Sequence, residues 1–176
     1  MRFRLLTKDD TPLVQEFCNS QQYSNNTSLE KMKWNSCPLW TAALVDNKIV
    51  SIAGTHELPE VSPDAYRCLF RGAQLPGFTL GTGRDIFKTG IQLSQLLNLQ
   101  IKWALEQNPK AELYISTNIN DDGGKSKRMN DIMMPLLAKR GIWTLEKEIM
   151  LYNVPQNLWR IDVKKYTEVR EHSLKF

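Results

Sequence analysis

His56, Glu57 and Glu60 are the residues whose types and spacing first suggest chemistry in this 176-residue chain. They gather where an apolar run over 49–57 gives way to a stretch rich in prolines and acids. An imidazole titrates near neutral pH, and a carboxylate can be tuned towards it. His56 or Glu57 could therefore take a proton as a general base, through a water if need be. A lone histidine at a strand end is more commonly a hydrogen-bonded surface residue, so position alone assigns no role. Arg67, Cys68 and Arg71 follow on the next strand-like run. Cys68 has no histidine or acid tied to it in sequence and reads as an inert core thiol. Tyr114 and Tyr152 could donate a proton, but both fall in strand-like runs where core packing is the commoner role.

Several other chemistries can be set aside. Residues 82–89 end in Lys88-Thr89 like a phosphate-binding P-loop, but Thr82 and Phe87 occupy both required glycine positions. Asn118-x-Asn120-x-Asp122-Gly123 resembles the start of a calcium loop. Its twelfth position is Met129 where a glutamate is needed. The three cysteines, Cys18, Cys37 and Cys68, have no metal-ligand spacing and no even count. They read as free thiols in a reducing cytoplasm. Residues 1–10 lack the apolar core of a signal peptide, and no run approaches a membrane span. Asn25-Asn26-Thr27 matches a glycosylation sequon, which without a secretion signal carries no weight. The net charge of +4 is spread along the chain, so a solvated surface is the default reading, with nucleic acid as the alternative partner.

The elements that must position these residues follow from periodicity. Residues 2–6 alternate as a short strand, and Thr11 with Pro12 marks a helix start carrying Leu13, Val14, Phe17 and Cys18 at helical spacing. A polar break over 21–28 leads into a short second helix near Leu29 and Met32. Apolar runs at 39–45 and 49–57 flank Asp46-Asn47-Lys48 as a hairpin. Residues 58–64 are a loop, and 66–74 a strand closed by Leu75-Pro76-Gly77. Residues 78–89 read as an ordered loop that could hold a turn of helix. Ile91 to Leu105 carry a long buried helix that ends at Asn108-Pro109. A strand over 112–117, a glycine loop over 118–125 and a helix over about 126–140 ending in Arg140-Gly141-Ile142 come next. A hairpin over 143–154 and 158–163, turning at Pro155-Gln156-Asn157, follows, with Leu174 and Phe176 able to dock. The strand–helix–strand crossover makes 112–117 parallel to 66–74. The fold class is α/β (α+β), a mixed central sheet of about seven strands with helices on both faces. One domain over 1–163 is expected, with a polar tail over 164–176.

This order resembles the GNAT (GCN5-related N-acetyltransferase) fold across residues 1–163. Three local matches add to it: the opening Phe3-Arg4-Leu5-Leu6-Thr7-Lys8-Asp9-Asp10, the Gln74-Leu75-Pro76 close of the fourth strand, and Asn130, Leu136 and Gly141-Ile142 in the last helix-and-strand unit. The resemblance implies an acyl-CoA-dependent N-acyltransferase that moves an acetyl group from acetyl-CoA to a primary amine. The donor site would involve Gln74, Leu75, Lys88, Thr89, Gly90 and Ile91, with Asn118 and Asn130 on the other strand of the gap. His56 and Glu57 would be the candidates for the base. The family's phosphate loop aligns on 87–92, where Gly90 matches while Phe87 and Gln92 depart from the pattern. Leu137 stands where many members have a tyrosine as general acid. A divergent member acting in nucleic-acid modification, or as a binding module, is the alternative. Arg67, Arg71, Arg84 and Lys88 with Trp40 and Phe78 would then form a basic, aromatic surface.

Overall fold

Apolar runs and two tight turns build most of the sheet. The computed structural model describes residues 1–20, 28–75, 84–120 and 129–173. Its strands are β1 (Arg2–Leu6), β2 (Leu39–Val45), β3 (Lys48–Glu57), β4 (Ala65–Gln74), β5 (Glu112–Asn118), β6 (Trp143–Leu151) and β7 (Val154–Ile161). They form one seven-stranded sheet in the order β1-β2-β3-β4-β5-β7-β6, antiparallel except where β4 meets β5. The helices are α1 (Thr11–Ser20), α2 (Leu29–Met32), α3 (Arg84–Gln107), α4 (Met134–Lys139) and α5 (Val163–Ser173).

Each hairpin turns on two residues with positive φ, Asp46 (49°) and Asn47 (60°) in the first, Tyr152 (54°) and Asn153 (60°) in the second. That pairing is what a type I′ turn demands. The second turn corrects the sequence reading, which placed it at Pro155. Proline is tolerated in the opening positions of a strand, and Pro155 instead pairs with Met150 inside β7.

Apolar faces close the core on both sides of the sheet. Val14 and Phe17 of α1 and Met32 of α2 pack with Trp34, Trp40, Ile52 and Phe70 on one side. On the other, Leu97, Ile101 and Ala104 of α3 pack with Cys68, Leu113, Ile115, Met134 and Trp159. The expected helices on both faces are therefore present.

Three further expectations change. Helix α3 begins at Arg84, not Ile91. Residues 84–89 are good or tolerable helix formers with Asp85 in the first turn, and the lone Gly90 costs a helix only about 1 kcal/mol, so it does not end one. The helix expected over 126–140 is a π-helical turn, Met129–Met133, followed by α4. Pro135 has no N–H to give and its ring crowds the carbonyl four residues back, which a π turn relieves. Gly141, at φ 70°, still ends the unit. The segment read as a polar tail is mostly α5, because Val163, Tyr166 and Val169 pack onto the α3 side of the core. The expected break over 21–27, the strand close at Pro76, the glycine loop over 121–125 and the docking of Leu174 and Phe176 fall outside the described residues.

The first helix is capped from Thr7, not Thr11. A 3-10 turn, Lys8–Asp10, precedes α1, and the Asp10 carboxylate accepts from the Thr7 N–H at 2.8 Å. Asp10 also binds Arg4 through two bonds of 2.8 and 2.6 Å, tying β1 to α1. Mainly the Arg4 hydrogen bond, with help from the Thr7 N–H and against burial, lowers the Asp10 pKa to about 2. A depressed carboxylate stabilises the fold above its ordinary pKa and loses that contribution as pH falls through the folded value. Asp10→Asn should therefore cost about 2 kcal/mol in urea unfolding at pH 7. Wild type and variant should converge as pH falls from about 4 to 2.

Candidate functional site

β4 and β5 make parallel contact over three residue pairs only, Ala65↔Glu112, Tyr66↔Leu113 and Arg67↔Tyr114. Each strand then continues, β4 to Gln74 and β5 to Asn118, without pairing to the other. The two strands part, leaving backbone groups along a gap in the middle of the sheet.

Register shows which groups face it. Leu75 donates its N–H to Val50 at 2.9 Å, and Gln74 stands opposite Ser51. In an antiparallel ladder that makes 74/51 a non-hydrogen-bonded pair, so the Gln74 N–H points away from β3 and into the gap. Leu75, expected beside it at the donor site, spends its own N–H on β3. On the other edge, Ile119 donates to Pro155 at 3.1 Å with Asn118 opposite Gln156. The backbone groups of Ser116 and Asn118 therefore turn towards β4.

Asn118 and Asn130 hold the β5 edge in shape. The Asn118 side chain accepts from the Asn120 N–H at 2.8 Å. Its carbonyl accepts from Asn130 Nδ2 at 2.8 Å. Asn130 Oδ1 accepts from Thr117 Oγ1 at 2.5 Å and from Asn157 Nδ2 at 3.0 Å. Both ends of the Asn130 amide are thus committed within the protein, locking the π turn to β5 and β7. Lys88, Thr89, Gly90 and Ile91 lie in the second turn of α3. The phosphate loop expected at 87–92 therefore falls inside the helix, and Gly81-Thr82-Gly83 directly ahead of it in sequence lie outside the described residues.

A second cluster lies on the sheet face opposite α3. His56 on β3 stands beside Arg67 on β4, and Phe70 meets the imidazole edge-on at 4.3 Å between centroids. Tyr152 reaches in from the β6–β7 turn, with its hydroxyl 3.1 Å from His56 Nε2. His56 Nδ1 lies 2.6 Å from the Glu57 carbonyl. A carbonyl can only accept, so Nδ1 carries the proton and Nε2 accepts from the tyrosine. Glu57 meets His56 through its backbone, and neighbouring strand residues point to opposite faces. The structure does not bring the two expected bases together as side chains.

Burial first, then the Arg67 charge, lower the His56 pKa to about 4, against the Glu57 hydrogen bond and Glu60; Lys33 lowers it further. An imidazole depressed in the fold leaves the unfolded chain holding more protons between pH 4 and 6.5. Stability should therefore fall as pH drops through that window, by roughly 1–2 kcal/mol once solvent screening of the partly exposed ring is allowed for. His56→Gln should remove that slope, read by urea unfolding at pH 4.5 and 7.

Three side chains that the sequence reading undervalued hold the site together. Tyr152 was read as a strand residue, but at the turn it is 45% exposed. The Tyr-Asn pair between two alternating runs was the available signal. Gln100 was hidden in the apolar stripe of α3 at 93, 96, 97, 100, 101 and 104, as its one polar member. It is fully buried. Its Oε1 accepts from Leu69 N–H at 3.0 Å and its Nε2 donates to the Gly54 carbonyl at 3.0 Å. Leu69 and Arg71 have positive φ (55° and 50°), and the β3–β4 register slips on either side of the Gly54↔Phe70 pair. Gln100 thus pins a doubly bulged β4 from which Arg67, Phe70 and Arg71 project. Lys33 ends α2 in the left-handed region and sets its ammonium 5.0 Å from the Tyr152 ring centroid.

The remaining expected residues sort clearly. Cys68 is buried, and that burial pushes its thiol up to about 12, away from the thiolate a nucleophile needs. Cys18 and Cys37 are also free and buried. Tyr114 is packed in the core with its hydroxyl 3.4 Å from Glu112 Oε2. Trp40, expected as a stacking surface for bases, is 3% exposed and packs against Trp34. Phe78 falls outside the described residues, as do the side chains of Arg84 and Lys88. Among the described residues no group of His, Cys, Asp or Glu is placed to hold a metal, and no helix is long and apolar enough to cross a membrane.

Neither a protein-family model nor a curated protein matches the sequence. Solved structures do match in shape. A protein of the GNAT family from Desulfovibrio desulfuricans is similar at TM-score 0.57 and 13% identity, covering 91% of this chain and 97% of that one. An aminoglycoside N-acetyltransferase is similar at TM-score 0.58 and 10% identity, over 93% and 97%. An aminoglycoside 6'-N-acetyltransferase complexed with coenzyme A is similar at 0.55 and 10%, over 91% and 96%. The chain has the GNAT fold.

Proposed function

We propose that the protein is an acyl-CoA-dependent N-acyltransferase that moves an acetyl group from acetyl-CoA to a primary amine. The parting of β4 from β5 after three residue pairs carries this reading. An extended pantetheine arm needs backbone partners on both sides, and the gap offers them from Gln74 on one edge and Ser116 on the other. The coenzyme A complex of a neighbour with the same fold supports the same occupant.

The chain's own groups fit the donor. The pyrophosphate would meet free N–H groups at the start of α3, where the helix dipole also favours negative charge. Bound there, acetyl-CoA supplies a thioester carbonyl open to attack. The Gln74 N–H is free to hold a carbonyl of the pantetheine arm, with the thioester carried further down the gap towards the His56–Tyr152 pair. As the amine nitrogen bonds to the carbonyl carbon, its proton passes to Tyr152 Oη while the tyrosine proton passes to His56 Nε2. The C–S bond then breaks and the thiolate takes a proton from solvent, since Leu137 stands where a tyrosine acid would be. Asn130 and Gln100 are positioning residues, one for each edge of the gap.

The acceptors named for two neighbours, aminoglycosides, are polycations. The cluster beside His56 is itself cationic and would repel them, so that substrate class does not carry over.

Millimolar coenzyme A should raise the melting temperature by several degrees. An unchanged melting curve at that concentration would count against acyl-CoA as the donor.

A further inference from the structure

Arg67 is the anomaly among the arginines of this sheet. Arg4 pairs with Asp10 at 2.6 Å. Arg160 pairs with Glu112 at 3.3 Å and Glu146 at 3.5 Å. Arg67 differs from Arg4 in that its pKa is lowered overall, by burial first, whereas that of Arg4 is raised by its bond to Asp10. Yet among the described residues no carboxylate lies within 4.0 Å of it, nor of Arg71 or Lys33. Its protein acceptors are neutral, Gln156 Oε1 at 3.2 Å and the Tyr152 hydroxyl. A desolvated cation without a counter-charge is costly and is kept where something else supplies the anion.

The surroundings are shaped to receive one. Arg67 lies 5.2 Å from the Phe70 ring centroid and 5.6 Å from that of Tyr152. Arg71 lies 5.3 Å from Phe70, and Lys33 5.0 Å from Tyr152. Three cations thus converge on two aromatic walls, beside the His56–Tyr152 pair and next to the parting of β4 and β5. The nearby acids, Glu57 and Glu60, are exposed. Guanidinium groups bind planar carboxylates and tetrahedral phosphates alike.

We propose that the acceptor is a small amine bearing an acidic group, carboxylate or phosphate, which Arg67, Arg71 and Lys33 hold so that its amine meets Tyr152. This rests on the acyltransfer reading and narrows its substrate class. It also resolves a difficulty in the proton relay. A protonated His56 would sit among three cations in the empty site, whereas a bound anion offsets them as the proton arrives.

The test is calorimetric titration of the coenzyme A-bound protein with four amines: β-alanine, aminoethyl phosphate, propylamine and spermidine. One or both acid-bearing amines should bind at least tenfold more tightly than propylamine and spermidine, and which of the two is tighter identifies the oxyanion. Arg67→Gln and Arg71→Gln should each weaken that binding tenfold or more and leave propylamine within twofold. Arg67→Gln should keep or raise the melting temperature, because it removes a half-buried charge that has no counter-ion; a large fall would make Arg67 structural and overturn the proposal. Equal binding of all four amines, absence of binding by both acids, or preference for spermidine would overturn it too. Failure of coenzyme A itself to bind would sink the acyltransfer reading instead, so the two failures are distinguishable.

Discussion

Gln100→Leu is expected to lower the unfolding free energy by about 2–5 kcal/mol, because it strands two buried backbone groups, each costing about 1–3 kcal/mol. The groups are the Leu69 N–H and the Gly54 carbonyl, bonded to Gln100 at 3.0 Å each. A third, weaker contact reaches Thr41 Oγ1 at 3.4 Å, which keeps its own bond to the Ala53 carbonyl. Leucine fills the space without either partner. The loss should also loosen β4. Leu69 and Arg71 hold left-handed conformations that side-chain-bearing residues rarely adopt, at about 1–3 kcal/mol of strain each. Without Gln100 the bulge should relax and Arg67 and Phe70 should lose their places. Urea unfolding measures the first effect, and reduced amide protection in β4 relative to β6 the second. Gln100→Met, of similar length, should behave like leucine; a loss below about 1 kcal/mol in both would mean that water replaces the amide.

Tyr152→Phe is expected to lower kcat by about 100-fold and His56→Gln by a similar factor, the usual scale of general acid–base assistance. The two act as one relay through the 3.1 Å contact. The double variant should therefore lose no more than either single change, since groups acting as a unit are non-additive. Tyr152→Phe keeps the ring that packs against Phe70 and Arg67, so the Kd for acceptor should change little. Independent, multiplying losses would separate the two residues into different roles. A tenfold loss of acceptor affinity with unchanged kcat would assign Tyr152 to binding alone.

The sheet was legible in the chain because its strands are apolar runs set off by turn residues, Asp46-Asn47 in the first hairpin being residues that accept positive φ. Where the reading misplaced an element, one residue had been weighted for its usual effect. Gly90 was taken as a helix start and Pro155 as a turn, yet a long helix absorbs one glycine and a strand can accommodate a proline near its beginning. The polar composition of 164–173 hid Tyr166 and Val169, which with Val163 fall at helical spacing and dock α5.

The site was less legible, for a physical reason. His56 was singled out from its position, but its partner Tyr152 lies 96 residues away and meets it only because β6 and β7 turn about three residues earlier than the proline implied. Asn130 was noticed, though its amide ties elements together. The cationic cluster draws on α2 and β4, whose proximity no local pattern encodes.

The most direct test of the central claim, that acyl-CoA lies between β4 and β5, is a crystal structure of the protein soaked with acetyl-CoA. The pantetheine arm should lie between β4 and β5 with one of its carbonyls within hydrogen-bond distance of the Gln74 N–H, the thioester towards the His56–Tyr152 pair, and the pyrophosphate at the start of α3. Ligand bound elsewhere on the sheet, or a gap left empty at millimolar acetyl-CoA, would contradict the account.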